Sequence, residues 1–354
     1  MRVYLSVPAV LFLLTAATSP AVAQDAAECT VDTYQPAQLA QAGITIGRAA
    51  SAATADDARK ALRDAMKFLK DEDETTEVNP VGTGFLKAQI YVLWLHQDSV
   101  SDVMTNEALN APGPKSGTVD LVVASDSLLD AVEAQGPACA ELTAQWRQSK
   151  PWTDRLNKAY QFLGAGMVDS ADYYVRRAAL LSDKSPFVHN ALAQIADNRG
   201  DKEGLLSHLK MAIEQAEGDT SMTQTRRQMR FQYAMNLQAV AMSGDAANRD
   251  ARLDEAATLF GELLHEAPAS PEAAYAFSAA SEIIAMQQDT TAGRELLSAM
   301  AAEPSKYSDL TLLLAADMAR LLNRNDDAMT FYAAALAQNP NIRDANYFLA
   351  FMQY

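Results

Sequence analysis

Four histidines, two cysteines and two acidic or glycine-rich stretches are the residues here whose types and spacing chemistry would draw on. The segment LHQDS (95–99) holds His96, Asp98 and Ser99, the three residue types of a nucleophilic hydrolase. A triad draws its members from separate elements so that base, orienter and nucleophile converge, and so short a span does not allow that geometry. Asp98 and Ser99 read instead as capping residues at a helix end. Neither His96 nor His189, His208 and His265 falls in H-E-x-x-H or in a His/Cys ligand set. His189 and His208 are placed to approach across one helix pair, as packing or surface histidines rather than as metal ligands. DEDETTE (71–77) opens like a calcium loop, but that loop needs Asp or Asn at alternate positions and Gly at the sixth, where this segment has Thr75 and Thr76 at the fifth and sixth. It reads as a solvated acidic linker. VGTGF (81–85) is a lone G-x-G without a following Lys-Ser/Thr, which is not a phosphate cradle. The expectation is a protein with no catalytic residues, no metal and no cofactor.

Cys29 and Cys139 are the only cysteines of the 354 residues. They lack each other and any histidine as sequence neighbours, which argues against catalysis or metal binding. Two free buried thiols are one reading; a single disulfide is the other, and the N-terminus favours it. Arg2 is followed by the apolar run VYLSVPAVLFLLTAA and a small-residue exit at Ala21-Val22-Ala23, the pattern of a secretory leader over residues 1–23 cleaved before Gln24. Glu28 before Cys29 excludes a lipidated cysteine, which needs a small neighbour. An exported chain with an even pair of cysteines predicts the bridge Cys29–Cys139. Closing a loop of about 110 residues would contribute about 4–5 kcal/mol through the unfolded state. The formal charge of -16 repels nucleic acid and anionic lipid surfaces, and no further apolar stretch is long enough for membrane insertion. The expected location is periplasmic or secreted, in a bacterium.

In RLDEAATLFGELLHEAPASPEA (252–273), Ala256, Phe260 and Pro268 set a register of small, bulky, then Pro. The same three types recur 36 residues on as Ala292, Leu296 and Pro304, and again as Ala328, Tyr332 and Pro340. The small residue marks a close helix crossing, the bulky one fills the space beside it, and Pro ends the helix for want of an N–H. Upstream, Gly166 and Gly200 are 34 apart, as are Ala178 and Ala212. Gly200-Asp201 predicts a left-handed stop followed by an N-cap. These registers resemble the tetratricopeptide repeat family over residues 150–354. Ala193, Gly200 and Ala212 match one repeat, and Ala328, Tyr332, Ala335 and Pro340 another, while the family's Trp is missing and MSGDAANRDARLDEA carries an inserted turn. The resemblance implies an all-α, right-handed α-α superhelix, a solenoid of about five degenerate repeats over 151–354. Residues 24–150 are expected to form an irregular helical region containing one divergent pair, with few strand signals anywhere and NEALNAPGPKSGT as a loop.

By the family's pattern, the groove of the best-registered repeat is presented by Asn190, Gln194, Asp197 and Asn198, joined by Leu156 and Tyr160 from the neighbouring repeat. Amide side chains suit an extended peptide backbone. IRDANYFLAFMQY places Tyr347, Phe348 and Phe351 on a last helix, either as a cap with its apolar face turned inward or as a docking surface for a partner or a second copy. The leading functional reading is an exported, non-enzymatic scaffold that holds a protein or peptide in its groove. The alternatives are a small-molecule or glycan-binding protein using Trp94, Trp146 and Trp152 around the N-terminal region, and a self-assembling protein joined through the C-terminal helix.

Overall fold

The computed structural model describes residues 29–98, 100–243 and 248–353; the expected leader, Ser99 and the inserted turn at 244–247 lie outside them. Among the described residues there are seventeen α-helices and two three-residue strands, so the chain is an all-α protein. It groups into two compact units, and the first is interleaved with the second in sequence. Unit one comprises Met1–Ile90, Asn106–Gly117 and Ser127–Gln145; unit two comprises Tyr91–Thr105, Thr118–Asp126 and Trp146–Tyr354.

Unit one begins with an antiparallel pair, α1 (Ala37–Ala50) and α2 (Ala55–Phe68). Leu39, Ala42 and Ile46 of α1 and Ala58, Leu62, Ala65 and Met66 of α2 recur at helical spacing and are buried. Thr54 caps α2 by accepting from the Asp57 N–H. The acidic stretch 71–77 is solvated as expected, with all its carboxylate residues exposed, and it folds as a turn tied down at a few points. Thr75 is fully buried, its hydroxyl donates to the Asp71 carbonyl, and Gln38 donates to Glu74 at 2.7 Å. Asn79 then closes the turn: its amide donates to the carbonyls of Asp32 and Gln35, both at 2.8 Å, and its Oδ1 accepts from the Gly82 N–H at 2.9 Å. VGTGF is helical, inside α3 (Pro80–Leu95). A Cβ on Gly82 would stand 2.1 Å from the Asp32 carbonyl oxygen, so this glycine permits a close backbone approach and has no phosphate role. The expected loop at 106–118 contains a one-turn helix, α4 (Asn106–Leu109). The residues of α5 (Leu121–Glu133) that belong to this unit and α6 (Pro137–Arg147) complete it, and Cys139 of α6 is bonded to Cys29 with a Cα–Cα distance of 4.9 Å.

Unit two is a stack of five helix pairs followed by one more helix. The pairs are α7/α8 (Lys150–Gly164, Val168–Leu181), α9/α10 (Pro186–Asn198, Lys202–Gln215), α11/α12 (Thr223–Ser243, Arg249–Glu266), α13/α14 (Pro271–Gln287, Thr290–Ala302) and α15/α16 (Asp309–Leu321, Asn325–Gln338); α17 is Arg343–Gln353. Turns within a pair use a left-handed residue: Gly166, Gly200, Gln288 and Asn323 all have φ between 56° and 75°. Asp201 caps α10 through the Gly204 N–H, as the sequence predicts, and Ser270, Asp289 and Ser308 cap α13, α14 and α15 in the same way. Pro268, Pro304 and Pro340 each follow the end of a second helix by two residues. The equal 36-residue step does not hold in the middle copy. Ala292 and Leu296 are only half-buried, and the buried pair is Gly293 and Leu297. A Cβ at Gly293 would meet the Met318 Cε at 2.9 Å, so the closest crossing falls one residue later than the Ala pattern suggests.

One non-repeating feature belongs to this unit. Strands β1 (Val103–Thr105) and β2 (Thr118–Asp120) pair antiparallel, with Val103 opposite Asp120. Three-residue strands are too short to show a period of two, and the sequence gives them no signal.

Candidate functional site

The residues predicted for a groove separate into two environments. Leu156 on α7 is 6% exposed and sits in the core with Ala159, Val175, Val188 and Ile195. Tyr160, one turn further, donates its hydroxyl to the Phe187 carbonyl at 2.8 Å, and burial pushes that hydroxyl's pKa well up. Leu156 is thus a core residue, and Tyr160 is half-buried against that core. The physical reason is lateral packing. First helix α7 touches first helix α9, so positions that would face open space receive an apolar chain and a satisfied phenol.

One repeat later, the same register positions hold Asn190 and Gln194. Here the neighbour is the longer α11, reached through the turn at Thr220–Met222, and α9 and α11 approach less closely than α7 and α9 or α13 and α15 do. Gln194, Asp197 and Asn198 are exposed and Asn190 is half-buried. Asn190, Gln194 and Asn198 are at i, i+4 and i+8 and share one face of α9. Gln194 Nε2 donates to Asn190 Oδ1 at 3.3 Å, and Asn198 Nδ2 donates to the Gln194 carbonyl at 2.8 Å. Asp197 is turned aside into an ion pair with Lys202 at 2.8 Å. A matching series lies on α11, where Gln228 and Gln232 are exposed and Asn236 Nδ2 donates to the Gln232 carbonyl at 2.8 Å. The α9 series spends two amide donors on its own helix and the α11 series one, leaving the remaining N–H groups and side-chain carbonyl oxygens for a partner. The α11 amides were legible as letters but not as a face, because the inserted turn displaces their register.

Large apolar side chains also reach solvent on the first helices. Met235 and Met242 of α11, Tyr275 of α13 and Leu310 of α15 are exposed. On α17, Ala345 is fully buried and Phe348 stacks on Tyr332 at 5.8 Å beneath the Arg320 guanidinium, while Tyr347 and Phe351 are 64% and 71% exposed and stack on one another at 6.4 Å. One helix therefore carries both a capping face and an exposed aromatic pair. Of the three tryptophans, Trp94 is buried, and Trp146 and Trp152 are half-buried.

The remaining titratable groups fall into two clusters. His189 and His208 do meet across the α9/α10 pair, stacked at 5.8 Å. Burial lowers the pKa of both; Asp183 opposes this at His189, and His208 is lowered further by His189. Among the described residues no three His, Cys, Asp or Glu side chains are placed to hold a metal ion. His96 lies just past α3, and His265 is exposed on α12.

The second cluster was not foreseen. Arg155 of α7 and Arg177 of α8 are both nearly buried and converge on the strand pair. Arg155 binds Asp102; Arg177 binds Asp102 at 3.0 Å and grips Asp120 with two bonds, at 2.6 and 2.7 Å. Burial alone would raise the Asp120 carboxyl, but hydrogen bonds from Arg177 and from the Val123 and Val122 N–H groups hold it below the usual range. Arg147 adds a bond to Asp126 at 3.0 Å and donates to the Leu180 and Leu181 carbonyls. The only sequence signal was a guanidinium in the apolar run YYVRRAALL, where a buried cation demands an acidic partner.

No protein-family model matches the chain, and no curated protein matches it. Among solved structures, it is similar to a tetratricopeptide repeat protein from Parabacteroides merdae ATCC 43184, at 11% identity over 66% of this chain and 93% of that one, with a TM-score of 0.23. So loose a superposition carries no argument, and the solenoid is established by the helix pairs themselves.

Proposed function

We propose that this protein is an exported, non-enzymatic scaffold that holds a protein or peptide partner against the first helices of its repeats. The observation that carries the reading is the amide series of half-buried Asn190 with exposed Gln194 and Asn198, standing where the neighbouring repeat has buried Leu156 and half-buried Tyr160. Amides offer donor and acceptor together and suit a partner's main chain, which presents the complementary pair at each residue. Met235, Tyr275 and Leu310 supply the apolar area from which binding energy is drawn. The test is affinity capture from a native envelope extract, with the chain from Gln24 onward as bait and Asn190→Ala/Gln194→Ala alongside. A partner recovered by the parent and lost by the folded double variant is the expected result. Equal recovery by both would refute the amide series as the contact.

A second reading is self-association through α17, favoured by the exposed stacked pair Tyr347 and Phe351. Light scattering of Tyr347→Ser/Phe351→Ser checks it, since an unchanged mass excludes that contact.

A further inference from the structure

An extended run of positive charge in this acidic chain lies on α2 and its end: Arg59, Lys60, Arg63, Lys67 and Lys70. Arg59, Arg63 and Lys67 follow at i, i+4 and i+8 and form one stripe beside the buried face of Ala58, Leu62, Ala65 and Met66, with Lys70 just past the helix end. Like charges one turn apart oppose helix formation, so helix stability does not call for this arrangement. The buried or half-buried arginines Arg155, Arg177 and Arg230 are matched with carboxylates, as is Arg199. On α2, Arg59 has Asp56 at 3.7 Å, while Lys60, Arg63, Lys67 and Lys70 form no ion pair among the described residues. The five cations, with Asp56, Asp64 and Asn110, line an open concavity of ≈ 650 Å³ within unit one. Asn110 is pinned there by its amide, which donates to the Arg63 carbonyl at 3.1 Å. Five cations face two carboxylates, in a chain whose formal charge is -16.

We propose that this concavity docks an extended acidic peptide segment of a partner protein. Spacing supports that occupant. Side chains four apart on a helix advance about 6 Å along its axis, and same-face side chains of an extended strand recur every ~6.6 Å. Alternate carboxylates of an extended segment therefore fall opposite successive cations over the ~12 Å from Arg59 to Lys67. A flat bilayer does not enter a concavity. A long nucleic acid meets the repulsion of the whole acidic surface, whereas a short segment is governed by charges within a Debye length of about 8 Å. The surface is distinct from the α9 amides and does not depend on them.

The experiment is fluorescence anisotropy on the full chain with a labelled eight-residue peptide of alternating glutamate and threonine, and the glutamine-threonine peptide as control. The acidic peptide binds at low salt, and its affinity falls about tenfold or more when salt is raised from 50 to 300 mM. Arg63→Glu/Lys67→Glu weakens it at least about tenfold, Arg63→Lys/Lys67→Arg keeps it within about twofold, and Asn190→Ala/Gln194→Ala leaves it unchanged. All the substituted side chains of α2 are exposed, so parental circular dichroism is expected throughout. Three results overturn the proposal: no binding of the acidic peptide, equal binding by the charge-reversed variant, or equal binding of the glutamine peptide. Phosphatidylglycerol vesicles or single-stranded RNA bound about tenfold more tightly than the peptide would assign the surface to another class of partner and overturn it as well.

Discussion

The two units solve the same problem by different means. Unit two repeats one solution: a small residue at each crossing, a left-handed residue in each described within-pair turn, and an N-cap of Asp or Ser at four of its helices. Its stability is spread over many similar contacts, as expected of a stack in which each repeat leans on the next. Unit one has a single comparable pair, α1/α2, and relies otherwise on features that occur once: the Cys29–Cys139 bond, the Asn79 turn, and the close approach at Gly82. The non-repeating strand pair of unit two follows the second pattern, since one group of arginines holds it. Wherever periodicity lapses, stability is concentrated in a few bonds, and there single substitutions should have their largest effects.

The sharpest way to break this contrast is to remove the disulfide. Cys29→Ser/Cys139→Ser should lose about 4–5 kcal/mol by the chain-entropy argument for a loop of this length, read from urea unfolding. A change below about 1 kcal/mol would mean that unit one is held much as unit two is. Next comes Arg177→Met, which leaves Asp102 and Asp120 without one of their cations in a partly desolvated site. The expected cost is about 3 kcal/mol, at the low end for breaking a buried pair because Asp120 keeps some water contact. Met fills much of the same volume, so a loss near zero would show that the arginine contributes packing alone.

The smallest effect sharpens the comparison within the repeats. His189 and His208 are held below the ordinary histidine pKa by burial, so the folded state favours their neutral forms. Their contribution is fully present above about pH 6.5 and is lost as pH falls from there toward the lower folded values, because the unfolded chain takes up protons first. Asp183 faces His189, and Asp201 and Arg176 face His208. Between pH 7.5 and 5.5 the thermal midpoint should fall by about 1–3 °C beyond that of His189→Gln/His208→Gln, a modest shift because both rings keep solvent contact. Identical pH dependence in parent and variant would remove the pair from the account.

How much of this was legible follows the same division. The helix pairs of unit two announced themselves through Ala256 with Phe260, Ala328 with Tyr332, and Gly200-Asp201, each of which performs the packing or capping its type suggests. The error at Ala292 arose because Ala and Gly are both small. In an Ala-rich chain the spacing cannot say which of two adjacent small residues has no room for a Cβ, and that residue is Gly293. Leu156 was misplaced by assuming that a register position keeps its surroundings from repeat to repeat, whereas on α7 it packs against Val188 and Ile195 of α9. The arginine group was invisible because its carboxylates are 53 to 75 residues away and follow no period, and the strand pair because three residues are too few to show one. The α2 cations were in plain view, but the concavity they line is a product of the fold and has no sequence pattern.

The bond between Cys29 and Cys139 also sets a timetable. The two residues are 110 apart, so at a synthesis rate of roughly 5–20 residues per second about 5–20 s pass between their emergence. Throughout that interval Cys29 has no thiol in its own chain to meet, because the sequence contains only these two. Shuffling among wrong internal pairings cannot occur, and the sole competitor is a thiol on another molecule. The helices α1 to α3 are made first, yet unit one is completed only when the chain has reached Gln145. The part of the molecule synthesised earliest is thus finished late, and the waiting thiol of Cys29 is where crowding, or an oxidant arriving too soon, would divert the chain into cross-linked oligomers.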